Sequence, residues 1–151
     1  IPHAPNFTPV AAIALFSGAY LNRKYAVIVP LALMAASDIF IGLHNVILFT
    51  WGAFIISAFL GMFLRNNRNV LRVAGASLLS SFVFFVLTNF GVWVMGWYPQ
   101  NLKGLLDCYV MALPFLRDFT VSTLIYSAFL FSAFEFIALF VKKTKLAKAL
   151  L

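Results

Sequence analysis

One segment of the chain, residues 70–95, reads VLRVAGASLLSSFVFFVLTNFGVWVM and contains a single charged side chain, Arg72. As a helix, these 26 residues would be about 39 Å long at a rise of about 1.5 Å per residue. The hydrocarbon core of a bilayer is about 30 Å thick, and about 20 apolar residues are needed to cross it. The segment therefore predicts a transmembrane helix.

The composition of the whole chain indicates the same class of protein. Of its 151 residues, 64% are hydrophobic, 17% are aromatic and 10% are charged, whereas soluble domains average about 45–50% apolar and about 25% charged residues. A soluble domain of this length buries only about 70% of the surface of its unfolded chain. So many apolar side chains could not all be hidden from water. These values exclude a soluble enzyme, a disordered chain and a nucleic-acid-binding module, and they predict an integral membrane protein.

Further apolar runs on both sides of the segment predict an all-α, polytopic bundle of transmembrane helices that forms a single domain over residues 1–151. The five expected spans are residues 9–21, 25–43, 46–64, 70–95 and 119–141. Residues 102–116 contain two charged side chains and Pro114, and they predict a short re-entrant or interfacial helix that returns to the side it entered from. Because the chain opens on Ile1, one more helix is expected before it.

The net charge of +7 comes from basic residues at the ends of apolar runs, the pattern of the positive-inside rule. The three clusters are Arg23 with Lys24, then Arg65, Arg68 and Arg72, then Lys142, Lys143, Lys145 and Lys148. We expect them on the cytoplasmic side of a bacterial inner membrane, in contact with anionic lipid head groups. The loop at Trp97 would then face outwards, and the C-terminus would be cytoplasmic. No exposed aromatic residues alternate with the basic ones, so no nucleic-acid partner is expected.

Polar side chains within membrane spans are costly, and they tend to mark pathways or binding sites. In the expected topology they are concentrated towards the outer side, which predicts an outward-facing pocket for a small solute. The candidate contact residues are His3, Asn6, Asp38, His44, Asn89 and Trp93. Each also has a structural interpretation: a neighbouring helix could satisfy Asp38, and Asn89 could be an interhelical hydrogen-bonding group. Trp97 and Tyr98 are typical of an interfacial aromatic belt.

Small residues at a spacing of four allow helix backbones to approach closely. Ala14 and Gly18 form such a pair in the first span, and two interpretations stay open: packing inside the bundle, or docking of another membrane subunit. The sequence contains no serine–histidine–aspartate arrangement with a nucleophile elbow, no HExxH and no glycine-rich phosphate loop. It therefore predicts a protein that is not an enzyme and that has no metal site and no cofactor.

The stretch PHAPNFTPVAA at residues 2–12 resembles the signature of a family of small bacterial integral membrane proteins, uncharacterised and described as candidate transport proteins. Further matches are VPL at 29–31 with Ser37-Asp38, GLH at 42–44 and TNFGVW at 88–93. Members of that family begin with another apolar helix, which implies a helix before Ile1. More remotely, the layout is similar to the substrate-binding S-components of energy-coupling-factor transporters. That similarity implies six helices, an outward-facing solute pocket and docking on a coupling subunit with paired ATPases.

Two functions follow as expectations. The first is a transport protein that binds a small solute from the outer side and takes part in its uptake, with energy supplied by a partner or a gradient. The second is an accessory structural subunit of a larger respiratory or photosynthetic membrane complex. The expected partners are membrane lipids, the solute and other membrane subunits.

Overall fold

A computed structural model describes residues 7–42 and 45–142 of the chain. The candidate residues His3, Asn6 and His44 lie outside these described residues. The described part is all-helical, as expected. Its five helices are α1 (Val10–Tyr20), α2 (Arg23–Ile41), α3 (Ile47–Phe63), α4 (Val70–Val94) and α5 (Leu102–Lys142).

Only α4 and α5, among the described residues, are long and apolar enough to cross a membrane. By this criterion the expectation of five spans is wrong. The apolar helices α1 and α3 have 11 and 17 residues, which correspond to about 16 and 26 Å. The 19 residues of α2 include Arg23, Lys24 and Asp38, which lower its apolarity.

The expectation of a separate re-entrant or interfacial helix over residues 102–116 is also wrong. Residues 102–116 and 119–141 belong to the single helix α5, which has Pro114 in its interior. Its 41 residues correspond to about 62 Å. The Asn101 side chain caps its start, where Oδ1 accepts a hydrogen bond from the Gly104 amide at 2.8 Å. A proline inside a helix removes one backbone hydrogen bond and bends the helix, but it need not end it. Because α5 is continuous through the proline, it links the two ends of the bundle in one pass.

We call the end of the bundle with the turn at residues 95–101 the outer end, and the end with the turn at residues 64–69 the inner end. The inner turn is set by Asn69, whose Oδ1 accepts a hydrogen bond from the Arg72 amide at 2.8 Å and so caps the start of α4. Such a cap satisfies one of the free N–H groups in the first turn of a helix. In the outer turn Gly96 has a φ of +80°, a conformation that favours glycine.

The short helix α1 lies in the middle of the bundle, where it contacts each of the other four helices. Small side chains bring it against α3: a Cβ atom on Gly18 would lie 2.1 Å from the carbonyl oxygen of Ala58, and one on Gly61 would lie 2.1 Å from that of Leu15. The two backbones are therefore in direct contact. Ala14 and Gly18 are both buried here, so the packing interpretation of this pair holds. Docking of another subunit at this pair stays a prediction.

At the inner end, polar contacts join α1, the 64–69 turn and α5. Arg65 donates to the carbonyl oxygens of Gly18 (Nε, 2.9 Å) and Leu21 (Nη2, 2.6 Å), which satisfies backbone acceptors that a helix C-terminus leaves free. The Tyr20 hydroxyl donates to Glu135 Oε1 at 2.6 Å, and the guanidinium of Arg68 lies 4.4 Å from the centre of the Tyr20 ring. Two arginines of the 65–72 cluster, Arg65 and Arg68, thus also bind the protein itself.

Candidate functional site

A cavity of about 530 Å³ lies at the outer end between α3, α4 and α5. The walls from α4 are Phe84, Phe85, Thr88, Asn89 and Val92, and the walls from α5 are Cys108, Met111, Ala112, Phe115, Leu116 and Phe119. The remaining lining residues are Val46 and Thr50 at the start of α3 and Trp97 and Tyr98 in the outer turn. Pockets of about 300–1,000 Å³ are typical of sites for small molecules.

The cavity exists because α5 does not follow α4 closely at this level. Phe84 stacks on Phe119 with ring centres 4.1 Å apart and planes 16° apart, and Cys108 Sγ lies 3.4 Å from the carbonyl oxygen of Asn89. Between these two contacts the cavity lies between α4 and α5. Pro114 lies on this stretch of α5, where the missing N–H and the ring bend a helix, and we call this bend the bow of α5.

The outer turn is held over this cavity by hydrogen bonds to the end of α4. Trp93 Nε1 donates to the carbonyl oxygen of Pro99 at 3.0 Å, and Gln100 Nε2 donates to the carbonyl oxygen of Trp93. A Cβ atom on Gly104 would lie 2.1 Å from the carbonyl oxygen of Pro99, so the turn also packs directly on the first turn of α5. These contacts place Trp97 and Tyr98, the two aromatic residues of the turn, against the cavity.

Of the three predicted contact residues that the structure describes, only Asn89 lines the cavity. Its Nδ2 donates to the carbonyl oxygen of Phe85 at 2.8 Å, one turn earlier in its own helix. Since a carbonyl oxygen accepts and does not donate, this bond fixes the orientation of the amide. The amide oxygen, Oδ1, has no hydrogen-bond partner among the described residues. Asn89 therefore offers the cavity an acceptor.

The other two described candidates have different positions. Asp38 is 5% exposed and its Oδ2 accepts a hydrogen bond from Trp51 Nε1 at 2.9 Å, which ties the end of α2 to the start of α3. Trp93 does not line the cavity but holds the outer turn. The structure thus does not bring Asp38 and Asn89 together in the described cavity, and a solute contact by Asp38 stays a prediction.

Sequence reasoning missed most of the cavity wall. Phe84, Phe85, Phe115 and Met111 are apolar residues in long apolar helices, where nothing in a single sequence distinguishes a cavity wall from a lipid-facing surface. Trp97 and Tyr98 did carry a signal, because two aromatic residues stand together in a short polar turn. That pattern is equally typical of an interfacial belt.

The segment that leads into α1 packs deep in the bundle. The Ser122 hydroxyl lies 3.3 Å from the carbonyl oxygen of Thr8, and the rings of Phe7 and Tyr126 are 5.9 Å apart. The start of α1 is therefore level with the middle of α5. Beyond it, towards the outer end, α3, α4 and α5 enclose the cavity without α1.

A second cavity, of about 410 Å³, lies between α4 and α5 near the inner end and has Ala128, Ser132 and Glu135 among its lining residues. Arg68 Nη1 lies 3.8 Å from Glu135 Oε1 at its edge. Among the described residues, no group of three or more histidine, cysteine, aspartate or glutamate side chains could hold a metal ion.

Over the residues that the structure describes, the protein is all-helical, with two helices long and apolar enough to cross a membrane and a largely apolar cavity beneath an aromatic turn. The chain belongs to the DUF6580 family, a family of unknown function whose model matches residues 1–147. No curated protein and no solved structure matches the chain. The transport role that we expected from the resemblance above stays a prediction.

Proposed function

We propose that the protein is a multi-pass protein of the bacterial inner membrane that binds a small solute in the outer cavity and takes part in its uptake. The observation that carries the proposal is the cavity of about 530 Å³ with the free acceptor of Asn89 in its wall. The enclosing aromatic turn and the bow of α5 support it, since both are local departures from close helix packing. A chain that only filled space would have no need for either.

Exposure of the long helices supports the membrane placement. In the most apolar 18-residue windows of α4 and α5, only 22% and 11% of the residues are buried, whereas the core helix of a soluble protein would be mostly buried. Phe129, Phe136 and Phe140 on α5 are all exposed. In water such surfaces would drive aggregation, but in a bilayer they would face lipid.

Charge supports the orientation. Arg23, Lys24, Arg65, Arg68 and Arg72 all lie at the inner end of the described bundle, which the positive-inside rule assigns to the cytoplasm. The cavity would then lie on the outer side. In this orientation the single pass of α5 would also bring its last described residue, Lys142, to the cytoplasmic side.

The orientation is tested with single cysteines in intact cells. Cys108 is the only cysteine of the chain, so Cys108→Ser provides the background for Gln100→Cys in the outer turn and Asn67→Cys in the inner turn, both at exposed positions. A membrane-impermeant maleimide should label the first variant in intact cells and the second only after permeabilisation. The opposite pattern would overturn the orientation and place the cavity on the cytoplasmic side.

The binding role is tested by mass spectrometry of the protein gently purified from its native membrane. We expect a small molecule to be retained and to be released by denaturation. Asn89→Leu should reduce the retained amount, whereas the matched control Asn66→Leu, in the exposed inner turn, should not. Equal retention by both variants, or none by the wild type, would contradict the assigned site. Because the sequence contains no phosphate-binding loop of its own, co-purification of ATPases with a coupling subunit would identify the energy source.

One observation favours the alternative of an accessory subunit. The helix α5 has a broad exposed face, which either lipid or a neighbouring subunit would cover. The two functions differ in what the same purification yields. A respiratory or photosynthetic assembly without a retained solute supports the accessory subunit and overturns uptake. A solute retained by protein that is not part of such an assembly supports uptake and overturns the accessory subunit.

A further inference from the structure

The described walls of the outer cavity carry no acidic side chain, no lysine, no arginine and no histidine. They are formed mainly by aromatic and aliphatic groups, with Phe84, Phe85 and Phe115 along the helices and Trp97 and Tyr98 at the outer end. Moving an ion from water into such surroundings is costly unless an opposite charge or several hydrogen bonds compensate. The walls therefore discriminate against ionic solutes and favour aromatic ones, whose rings pack on these rings in edge-to-face or offset arrangements.

The polar groups of the wall are mostly turned into acceptors by bonds to their own helices. The Thr88 hydroxyl donates to the carbonyl oxygen of Phe84 at 2.8 Å, and the Asn89 amide donates to that of Phe85. Each of these bonds uses a donor hydrogen and leaves oxygen lone pairs. At Asn89, which is half-buried, the amide oxygen stays available together with one N–H of Nδ2. A solute that donates a hydrogen bond would pair with that oxygen.

We infer that the solute of the outer cavity is an uncharged aromatic molecule with at least one N–H or O–H donor, which binds the Asn89 Oδ1 acceptor. This inference rests on the proposed function, since it names the class of solute for the same cavity. The aromatic body occupies the space between the phenylalanine side chains of α4 and α5. The donor sets its orientation, and the Tyr98 hydroxyl at the outer end adds one group that can donate or accept.

Four probes of the same ring size test the inference. Carbazole is neutral and carries an N–H donor, and dibenzofuran has the same shape with an oxygen in place of that N–H. Carbazole-3-carboxylate and 3-(aminomethyl)carbazole add a negative and a positive charge. Each is titrated into the full chain in phosphatidylcholine nanodiscs.

The reporter is the ¹³C-labelled methyl group of Met111, which lines the cavity. The chain has only four methionines, and Met34, buried in the core between α1 and α3, is the internal control. Met111→Leu assigns the signal. Because neutral probes also enter the lipid, empty nanodiscs give their partitioning, and Asn89→Leu in the same nanodiscs is the matched control.

Carbazole should shift the Met111 signal saturably and leave the Met34 signal in place. It should bind about 3- to 10-fold more tightly than dibenzofuran, the factor that one neutral hydrogen bond supplies, and both charged probes should bind more weakly than carbazole. In Asn89→Leu the difference between carbazole and dibenzofuran should vanish. The comparison of probes on the wild-type protein stands even if the variant does not fold.

Three results would overturn the inference. Equal affinity for carbazole and dibenzofuran in the wild type would remove the donor requirement, and tighter binding of a charged probe would remove the neutral class. In both cases the cavity still takes a solute and the proposed function stands. A charged molecule retained from the native membrane would likewise overturn only the class of solute. If no probe moves Met111 and nothing is retained from the native membrane, the proposed function fails together with the inference.

Discussion

Replacing Gly18 by alanine tests whether direct contact between the backbones of α1 and α3 holds the bundle together. The new Cβ atom would lie 2.1 Å from the carbonyl oxygen of Ala58 and 2.8 Å from the Cα atom of Gly61, whereas ordinary contacts begin at 3.4 Å. The opposing atoms belong to a helix backbone and cannot rotate away. The helices must therefore separate by about 1.3 Å (3.4 − 2.1).

A gap of about 1 Å forfeits up to about half of the dispersion energy of each contact across the interface, and overpacked cores are destabilised by about 1–3 kcal/mol. Because α1 contacts all four other helices, we expect a loss in the upper part of that range, about 2–3 kcal/mol. That loss corresponds to about a 30- to 150-fold change in the ratio of folded to unfolded protein. Gly61→Ala meets Leu15 in the same way and should cost a similar amount. The double variant should cost less than the sum of the two, since the first substitution already separates the helices.

The measurement is reversible unfolding in mixed micelles of dodecyl maltoside and sodium dodecyl sulfate, followed by circular dichroism. Gly75→Ala is the matched control, because a Cβ atom there has no heavy atom within 4 Å and alanine favours the helix interior by about 0.5–1 kcal/mol. Equal unfolding free energies for Gly18→Ala and Gly75→Ala would refute the close contact between α1 and α3.

Three further substitutions test other parts of the structure with the same unfolding titration. Arg65→Lys replaces a planar guanidinium that reaches two carbonyl oxygens with a single ammonium group, and it should lower the free energy of unfolding by about 1–2 kcal/mol. The control Arg72→Lys, at an exposed position, should leave the free energy of unfolding almost unchanged. Equal losses would show that Arg65 does not cap α1. Trp51→Phe removes the indole N–H from the buried Asp38 carboxylate and should cost about 1–3 kcal/mol, and an unchanged stability would contradict that bond. Pro114→Ala restores a helix-interior N–H and should stabilise the protein by up to about 3 kcal/mol. It should also weaken carbazole binding, measured at the Met111 signal, because a straighter α5 would narrow the cavity. Tighter or unchanged binding would show that Pro114 does not cause the bow of α5.

Local pattern was enough to predict the helices, because apolar runs and capping residues act within a few turns of one segment. The start of α4 at Val70 follows from Asn69, whose side chain caps it, and the expected span 9–21 begins within one residue of α1, which starts at Val10. The same local reasoning failed at residues 102–119. Two charges and Pro114 suggest a break there, but packing against α4 on both sides of the proline keeps one helix continuous.

The cavity was only partly predictable. Asn89 was identified because a carboxamide in an apolar helix is costly, and this reasoning needs no partner. The same reasoning selected Asp38, yet whether a buried polar group is free or satisfied depends on residues far away in the chain. For Asp38 a described partner is Trp51, 13 residues away on the next helix.

The sequence alone determined the all-helical class, the exposed apolar faces and the basic inner end, because side-chain chemistry and helical periodicity are properties of each segment by itself. The tertiary structure decided which helix Gly18 touches, where Arg65 binds and where the outer cavity lies. These features depend on how helices of unequal length align. Alignment is set by contacts such as Gly18 with Gly61 and Phe84 with Phe119, whose partners lie at least 35 positions apart in the chain. The short α1 and the bow of α5 leave a space at the outer end that no single segment encodes.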